Sequence, residues 1–163
     1  MKHKKIFDVV VVGAGHAGVE AVNTISNLNL FVGLVSMDKL GIGRMSCNPA
    51  IGGIAKGQLV REIDILGGLM GRTADRSGLQ YKLLNRSKGR SVWSPRAQVD
   101  KRLYEKTVSE NILNRKNICF VQGEVVSIDI KNGSVGGVIL RGGDYLKTRS
   151  VVITCGTFLS GLI

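Results

Sequence analysis

Residues Ile6 to Val12 form a near-continuous apolar run, broken only by Asp8, that passes directly into Gly13-Ala14-Gly15-His16-Ala17-Gly18. No other feature limits the fold as tightly. A β-branched run of this length suits a central parallel strand covered on both faces. Glycines spaced G-x-G-x-x-G then remove side chains where backbone must approach something closely. Gly13 allows a tight turn out of the strand, Gly15 leaves room for a pyrophosphate, and Gly18 lets a helix pack against the strand. Ala17, Ala21, Val22, Ile25 and Leu28 recur at helical spacing, which predicts a first helix running to about Leu28. LFVGLVS, Leu30 to Ser36, predicts a second strand. Strand, glycine turn, helix and strand make a βαβ unit whose helix N-terminus offers N–H groups and a positive dipole end to phosphate oxygens. Gly13, Ala14, Gly15, His16, Ala17 and Gly18 are therefore the expected dinucleotide-binding turn.

One expected part is absent. The acidic residue that usually binds the ribose closes the second strand about 20 residues beyond the glycines. Ser36 stands there, with Asp38 two residues late. Ser36, a backbone group, or Asp38 reaching back are all open as its replacement.

Farther along, MSCNPAIGGIAKGQLVREIDILGG leads from a Pro-containing loop into a helix predicted from about Gly52, with Ile54, Leu59, Ile63 and Leu66 on one face and Gly67-Gly68 as its stop. Leu79 to Gln98 reads as a short strand and irregular loops. Pro95 fits the first turn of another helix carrying Val99, Leu103, Val108 and Ile112. ICFVQGEVVSIDI supplies two strands broken around Gly123, SVGGVIL pairs back across Lys131-Asn132-Gly133, and YLKTRSVVITCGTF supplies the remaining strands. The order predicts an α/β fold: a Rossmann-like open sheet with a small antiparallel β-meander.

Composition narrows the function classes. A chain of 163 residues, 44% hydrophobic and 21% charged, suits one folded domain. Lys and Arg number 23 against 12 acidic residues, a net charge of +11 that favours a polyanionic partner or a solvated basic surface. Three widely spaced cysteines, Cys47, Cys119 and Cys155, with no C-x-x-C and only two histidines, argue against a disulfide framework and a metal site and fit a reducing cytoplasm. The basic N-terminus followed by an apolar stretch reads as a first strand rather than a cleaved leader, and no apolar run reaches the roughly 18–20 residues of a membrane span. Lys82, Arg86, Lys88, Arg90, Arg96, Lys101 and Arg102, with Asp100 the only acid among them and Tyr81, Trp93 and Tyr104 nearby, could hold phosphates and stack a splayed-out base. A solvated basic face is the alternative.

The segments GAGHAG, MSCNPAIGGIAKGQLVREIDILGG, LLNRSKG, SPRAQVDKRLY and TCGTFLSG together resemble the N-terminal portion of the MnmG (GidA) family, over Asp8 to Ile163. Cys-Asn-Pro-Ala-Ile-Gly-Gly is much more specific than a glycine triplet. The resemblance implies a glutathione-reductase-like FAD-binding domain and a flavoenzyme that modifies C5 of wobble uridine 34 of tRNA. It further implies NADH as reductant, methylenetetrahydrofolate as carbon donor, a MnmE-like GTPase partner and a homodimer in the full-length form. Members are several times longer, with an NADH-binding insert, a later segment completing the flavin site and a C-terminal helical region, so the chain reads as an incomplete domain, inactive alone. By the same resemblance, Cys47 is a candidate nucleophile or one-carbon relay, with an inert packed thiol as its alternative. Gly52 and Gly53, as the start of a helix, are candidates to face the flavin or a phosphate, with an ordinary helix start as the alternative, and Val125 to present its backbone to the adenine, with a core valine as the alternative. Lys82, Arg86, Lys88, Arg90 and Arg96 become tRNA-contact candidates, some of which could instead secure FAD. Lys56 stays open between the site and solvent, His16 is expected to pack beside the cofactor rather than act as a base, and Cys119 and Cys155 are expected to be buried in strands. Many members carry Pro in place of Arg90. Competing readings are a folate- and FAD-dependent tRNA uridine methyltransferase, disfavoured by the Cys-Asn-Pro-Ala run, and a non-catalytic nucleotide- or tRNA-binding module.

Overall fold

The computed structural model describes residues 6–46 and 48–156. In chain order the elements are β1 Ile6–Val12, α1 His16–Asn27, β2 Val32–Ser36, β3 Ala50–Gly52, α2 Lys56–Ile65, α3 Met70–Arg76, β4 Gly78–Leu84, β5 Ser94–Val99, α4 Lys101–Leu113, β6 Ile118–Gln122, β7 Val125–Lys131, β8 Ser134–Leu140 and β9 Tyr145–Ile153. Where composition suits one domain, the chain divides into two compact units, one from residues up to Arg44 together with those from Asn111 onward, the other from Met45 to Glu110.

The first unit is built on a six-stranded sheet of order β6-β2-β1-β9-β8-β7. β6, β2, β1 and β9 run parallel, while β9-β8 and β8-β7 are antiparallel. β1 is buried on both faces, with Val10 and Val11 fully shielded, as its unbroken apolar run requires. On one face Phe7, Val10, Val35, Val138 and Leu140 form the core, and the Phe7 and Phe31 rings stack with centroids 5.0 Å apart. Asp8, the one polar residue of β1, accepts a 2.8 Å hydrogen bond from the Phe31 amide through its carboxylate, which explains its tolerance in a central strand. The C-terminal end of α1 is pinned by Arg115, whose guanidinium donates to Asn23 Oδ1 at 2.6 Å and Asn27 Oδ1 at 2.7 Å. Asn117 adds bonds to the carbonyls of Ser26 and Leu30.

β9 is a single strand that pairs parallel with β1 along Lys147–Ile153 and antiparallel with β8 at Tyr145–Lys147. The expectation of several strands in that segment is corrected accordingly. One continuous strand welds the parallel layer to the meander.

The second unit contains a three-stranded antiparallel sheet of order β3-β5-β4, with α2 and α3. Two expected helix starts are displaced. Gly52 belongs to β3 and Gly53 follows it, at φ of +110° and +93°, and α2 begins only at Lys56. A side chain at Gly52 would collide with the Pro95 carbonyl, and Gly53 N–H donates to that same oxygen at 2.9 Å, so the glycine pair serves the β3–β5 contact. Helix α2 approaches β5 through buried Gly57, not through the expected face. Ile54 precedes the helix and is 72% exposed, Leu59 on the helix is 56% exposed, and Leu66 just beyond it is 82% exposed. Pro95 lies in β5, not in a helix, and Val99 ends that strand. The start of α4 is set instead by Asp100, whose carboxylate accepts from Leu103 N–H at 3.0 Å as an N-cap does. On α4, Tyr104, Val108 and Ile112 are buried, while Leu103 is largely exposed.

Candidate dinucleotide-binding site

In the first unit the glycine turn sits where the C-terminal ends of the parallel strands meet the start of α1. Gly13 adopts φ +106°, and its N–H donates to Val35 O at 2.8 Å, tying the turn to β2. Thr154, just past β9, donates through its hydroxyl to Val12 O at 2.9 Å and Gly13 O at 3.1 Å. A Cβ at Gly13 would strike Thr154, and one at Gly18 would strike the Gly13 carbonyl and the Thr154 hydroxyl. Gly15 differs from both. It sits at φ −68°, open to any residue, and a Cβ there would meet nothing within 4 Å. Gly15 is the N-cap of α1 with no side chain to cap the first turn, and a helix's first N–H groups have no acceptor within the helix. Ala14 is buried, Ala17 is exposed, and His16 is half-buried at the first position of α1.

A cleft of about 640 Å³ opens beside this turn. Gly13, Ser36 and Val125, which sequence reasoning drew from three distant segments, all line it, together with Met37, Glu124 and Arg141. Its walls are held by backbone and side-chain bonds between β2 and the β6–β7 connection. Gly123 N–H donates to Ser36 O at 2.9 Å, and Gln122 Nε2 donates to Met37 O at 3.1 Å. The Ser36 hydroxyl donates to Asp38 O at 3.3 Å, and Asp38 itself caps a short turn by accepting from Leu40 N–H at 2.9 Å. Glu124 and Arg141 form a two-pronged ion pair, Nε to Oε2 and Nη2 to Oε1, each at 2.6 Å. The hydrogen-bonded Arg141 guanidinium holds the Glu124 carboxyl below its ordinary pKa, and Glu124 in turn raises that of Arg141. Cys155 also lines the cleft, half-buried beyond the end of β9, and Cys119 is half-buried in β6, which corrects the expected full burial of both and the expected place of Cys155 inside a strand.

Other candidates lie in the second unit. Gly52, Gly53 and the half-buried Lys56 surround the β3–α2 turn. Lys82 and Arg96 face each other in register on β4 and β5 and line two cavities of about 310 and 260 Å³. The larger also presents Arg61, Tyr81, Asp64 and Asp75. Arg86, Lys88 and Arg90 are exposed on the β4–β5 connection, where Arg90 lies 5.8 Å over the Trp93 ring and Trp93 Nε1 donates to Arg86 O at 3.2 Å. Trp93 thus braces its own loop. Tyr104 is 1% exposed, which corrects its expected availability for stacking: it is a core residue of α4. Cys47 lies outside the described residues.

Sequence reasoning missed Glu124, Arg141 and Thr154. Glu124 and Arg141 are 17 residues apart on separate strand ends, so no local spacing links them. The only hint was an acidic residue directly before Val125 in QGEVV. Among the described residues no helix is long and apolar enough to cross a membrane, and no group of three or more His, Cys, Asp or Glu could hold a metal ion.

A family model described as glucose inhibited division protein A matches residues 8–163. The chain belongs to the glucose inhibited division protein A family. Among similar members of that family, the tRNA uridine 5-carboxymethylaminomethyl modification enzyme MnmG of Endomicrobium trichonymphae is 49% identical over 157 residues, covering 96% of this chain and 26% of that relative. The solved structure of Aquifex aeolicus GidA superposes with a TM-score of 0.90 at 49% identity, over 95% of this chain and 26% of that one. The chain therefore spans about a quarter of the length of these relatives. Beyond the glucose inhibited division protein A family, PqsL of Pseudomonas aeruginosa, described as a probable FAD-dependent monooxygenase, shares the fold. Its TM-score is 0.61 at 15% identity, over 90% of this chain and 42% of that one.

Proposed function

We propose that this chain is the dinucleotide-anchoring part of an FAD-dependent enzyme that modifies C5 of the wobble uridine of tRNA. Gly15 carries the reading: it is a glycine that neither its backbone angle nor any neighbour requires, at a helix start without a side-chain cap, in the turn whose Gly13 lines the cleft. A guest that comes as close as a diphosphate supplies the missing reason. The residues present fit FAD in this respect, and the relatives' name supplies the substrate class.

In this reading the amides beyond Gly13, whose own N–H is taken by Val35 O, face the diphosphate, and the first turn of α1 places its dipole against the negative charge. Ser36 and Val125 bracket the adenosine across the cleft. When bound, FAD supplies the hydride chemistry; the chain contributes position and electrostatics. The exposed cations Lys82, Arg86, Lys88 and Arg90 and the half-buried Arg96 hold tRNA phosphates. Cys47 is the candidate nucleophile or one-carbon relay. NADH, methylenetetrahydrofolate, a MnmE-like GTPase, a homodimer, a cytoplasmic site of action and inactivity of the 163-residue chain alone complete the proposal. These rest on the family resemblance.

The test has two arms. The protein as encoded is titrated with FAD, followed by flavin fluorescence and by amide shifts of residues 13 to 18, and saturable shifts in that turn are expected. Disruption of the gene should remove the 5-carboxymethylaminomethyl-type nucleoside from tRNA digests read by mass spectrometry. Unshifted amides at saturating FAD, or loss of a 5-methyluridine instead, would overturn the reading.

A further inference from the structure

The adenosine end of the cleft lacks the acid that normally closes the second strand, yet it does not lack a carboxylate. Asp38 is turned to the Leu40 amide as a cap and is not among the cleft's described lining residues. Glu124 is among them, and it comes from the β6–β7 connection. Its position is fixed twice over. Gly123, one residue earlier, donates its N–H to the Ser36 carbonyl at 2.9 Å, which seats the β6–β7 connection against the end of β2. Arg141 then grips Glu124 by backbone and side chain: its N–H donates to Glu124 O at 2.8 Å, and its guanidinium takes both carboxylate oxygens at 2.6 Å.

We propose that Glu124, held by Arg141, is the residue that receives the ribose hydroxyls at the adenosine end of the bound dinucleotide, in place of the missing acid at Ser36. This rests on the dinucleotide reading above and names the group that recognises the sugar. An ionised carboxylate only accepts hydrogen bonds, each oxygen has room for more than one donor, and ribose hydroxyls donate. Arg141 is the positioning residue. Its fork fixes the plane of the carboxylate, keeps it ionised, and spends the positive charge that would otherwise attract a phosphate on the ribose. The pair therefore also specifies an unphosphorylated ribose: a 2′-phosphate would meet a carboxylate in front of an already neutralised guanidinium.

The experiment measures affinity of the protein as encoded for ADP, 2′-deoxy-ADP, 3′-deoxy-ADP and adenosine 2′,5′-bisphosphate by calorimetry, in the wild type and in Glu124→Gln, Glu124→Ala, Arg141→Met and Arg141→Lys. Thermal melts show that each variant is folded. Glu124→Gln should weaken ADP about tenfold, the value of one charge-assisted hydrogen bond. It should weaken at least one of the deoxy ligands much less, because the hydroxyl it would serve is gone. Arg141→Met should show the same hydroxyl-dependent loss in smaller measure, with Arg141→Lys recovering part of it. Glu124→Ala, which leaves Arg141 uncompensated, should raise the preference for the 2′-phosphate over ADP about tenfold. Equal losses for ADP and both deoxy ligands, or no loss at all, would overturn the assignment of Glu124 while leaving dinucleotide binding intact. Failure of the wild type to bind ADP would overturn the dinucleotide reading and this one with it.

Discussion

Gly13, Gly15 and Gly18 are one residue type held by three different causes. Gly13 must be glycine for its φ of +106° and the nearness of Thr154, Gly18 because the Gly13 carbonyl occupies the space of a Cβ, and Gly15 for neither reason. The three causes separate in a mutant series. Gly15→Val should lower unfolding free energy by no more than about 1 kcal/mol, the cost of a branched residue replacing glycine at an unstrained, exposed N-cap. Its FAD affinity should fall about a hundredfold, the upper end of what overfilling a close-fitting site costs. Gly18→Ala should instead destabilise the fold by about 1–3 kcal/mol, since a backbone oxygen rather than a yielding side chain stands in the way. Urea melts paired with flavin titrations distinguish the two, and a Gly15→Val variant that melts early with normal affinity would invert the assignment. The motif was legible in the sequence because G-x-G-x-x-G after a strand has one well-known geometry. Glu124 and Arg141 were not legible, because their pairing is created by a hairpin return that no periodicity announces.

At the level of elements, the first βαβ unit, the β6–β7 break and the β7–β8 hairpin follow from apolar runs and turn residues, and the structure forms them within a few residues of the expected bounds. The helix starts around Gly52 and Pro95 did not follow, for a shared reason. Local rules for glycine and proline point both segments towards helices, whereas a long-range pairing, β3 with β5, recruits them into strands. Asp100, followed by an amphipathic run, was the better helix signal. Packing between elements makes a prediction of its own at Arg115. Arg115→Ala removes bonds to Asn23, Ser26 and Asn27 at once, fraying the end of α1 that leads into β2. The cost should be about 1–3 kcal/mol in denaturant unfolding, with faster amide exchange confined to the last turn of α1. Uniform exchange across the helix would show that the contact is dispensable.

For the whole molecule, the net charge of +11 turns the proposed tRNA contact into a salt-dependence experiment. If Lys82, Arg86, Lys88, Arg90 and Arg96 each neutralise one phosphate, log K against log salt should fall with a slope of about −4, and each charge-removing substitution should flatten it by about 1. An unchanged slope on replacing Arg86, Lys88 and Arg90 together would return that loop to an ordinary solvated surface. A second consequence comes from β9. Because Val9 to Val12 lie beside Ser150 to Ile153, the central strand of the larger sheet has one flank that is completed only by residues some 140 positions later. During synthesis on the ribosome, β1 and β2 must wait, half-clothed and prone to wrong partners, until that late segment emerges. Any nascent product stopping short of Tyr145 should accumulate in inclusion bodies or be cleared by proteases, however intact its glycine turn.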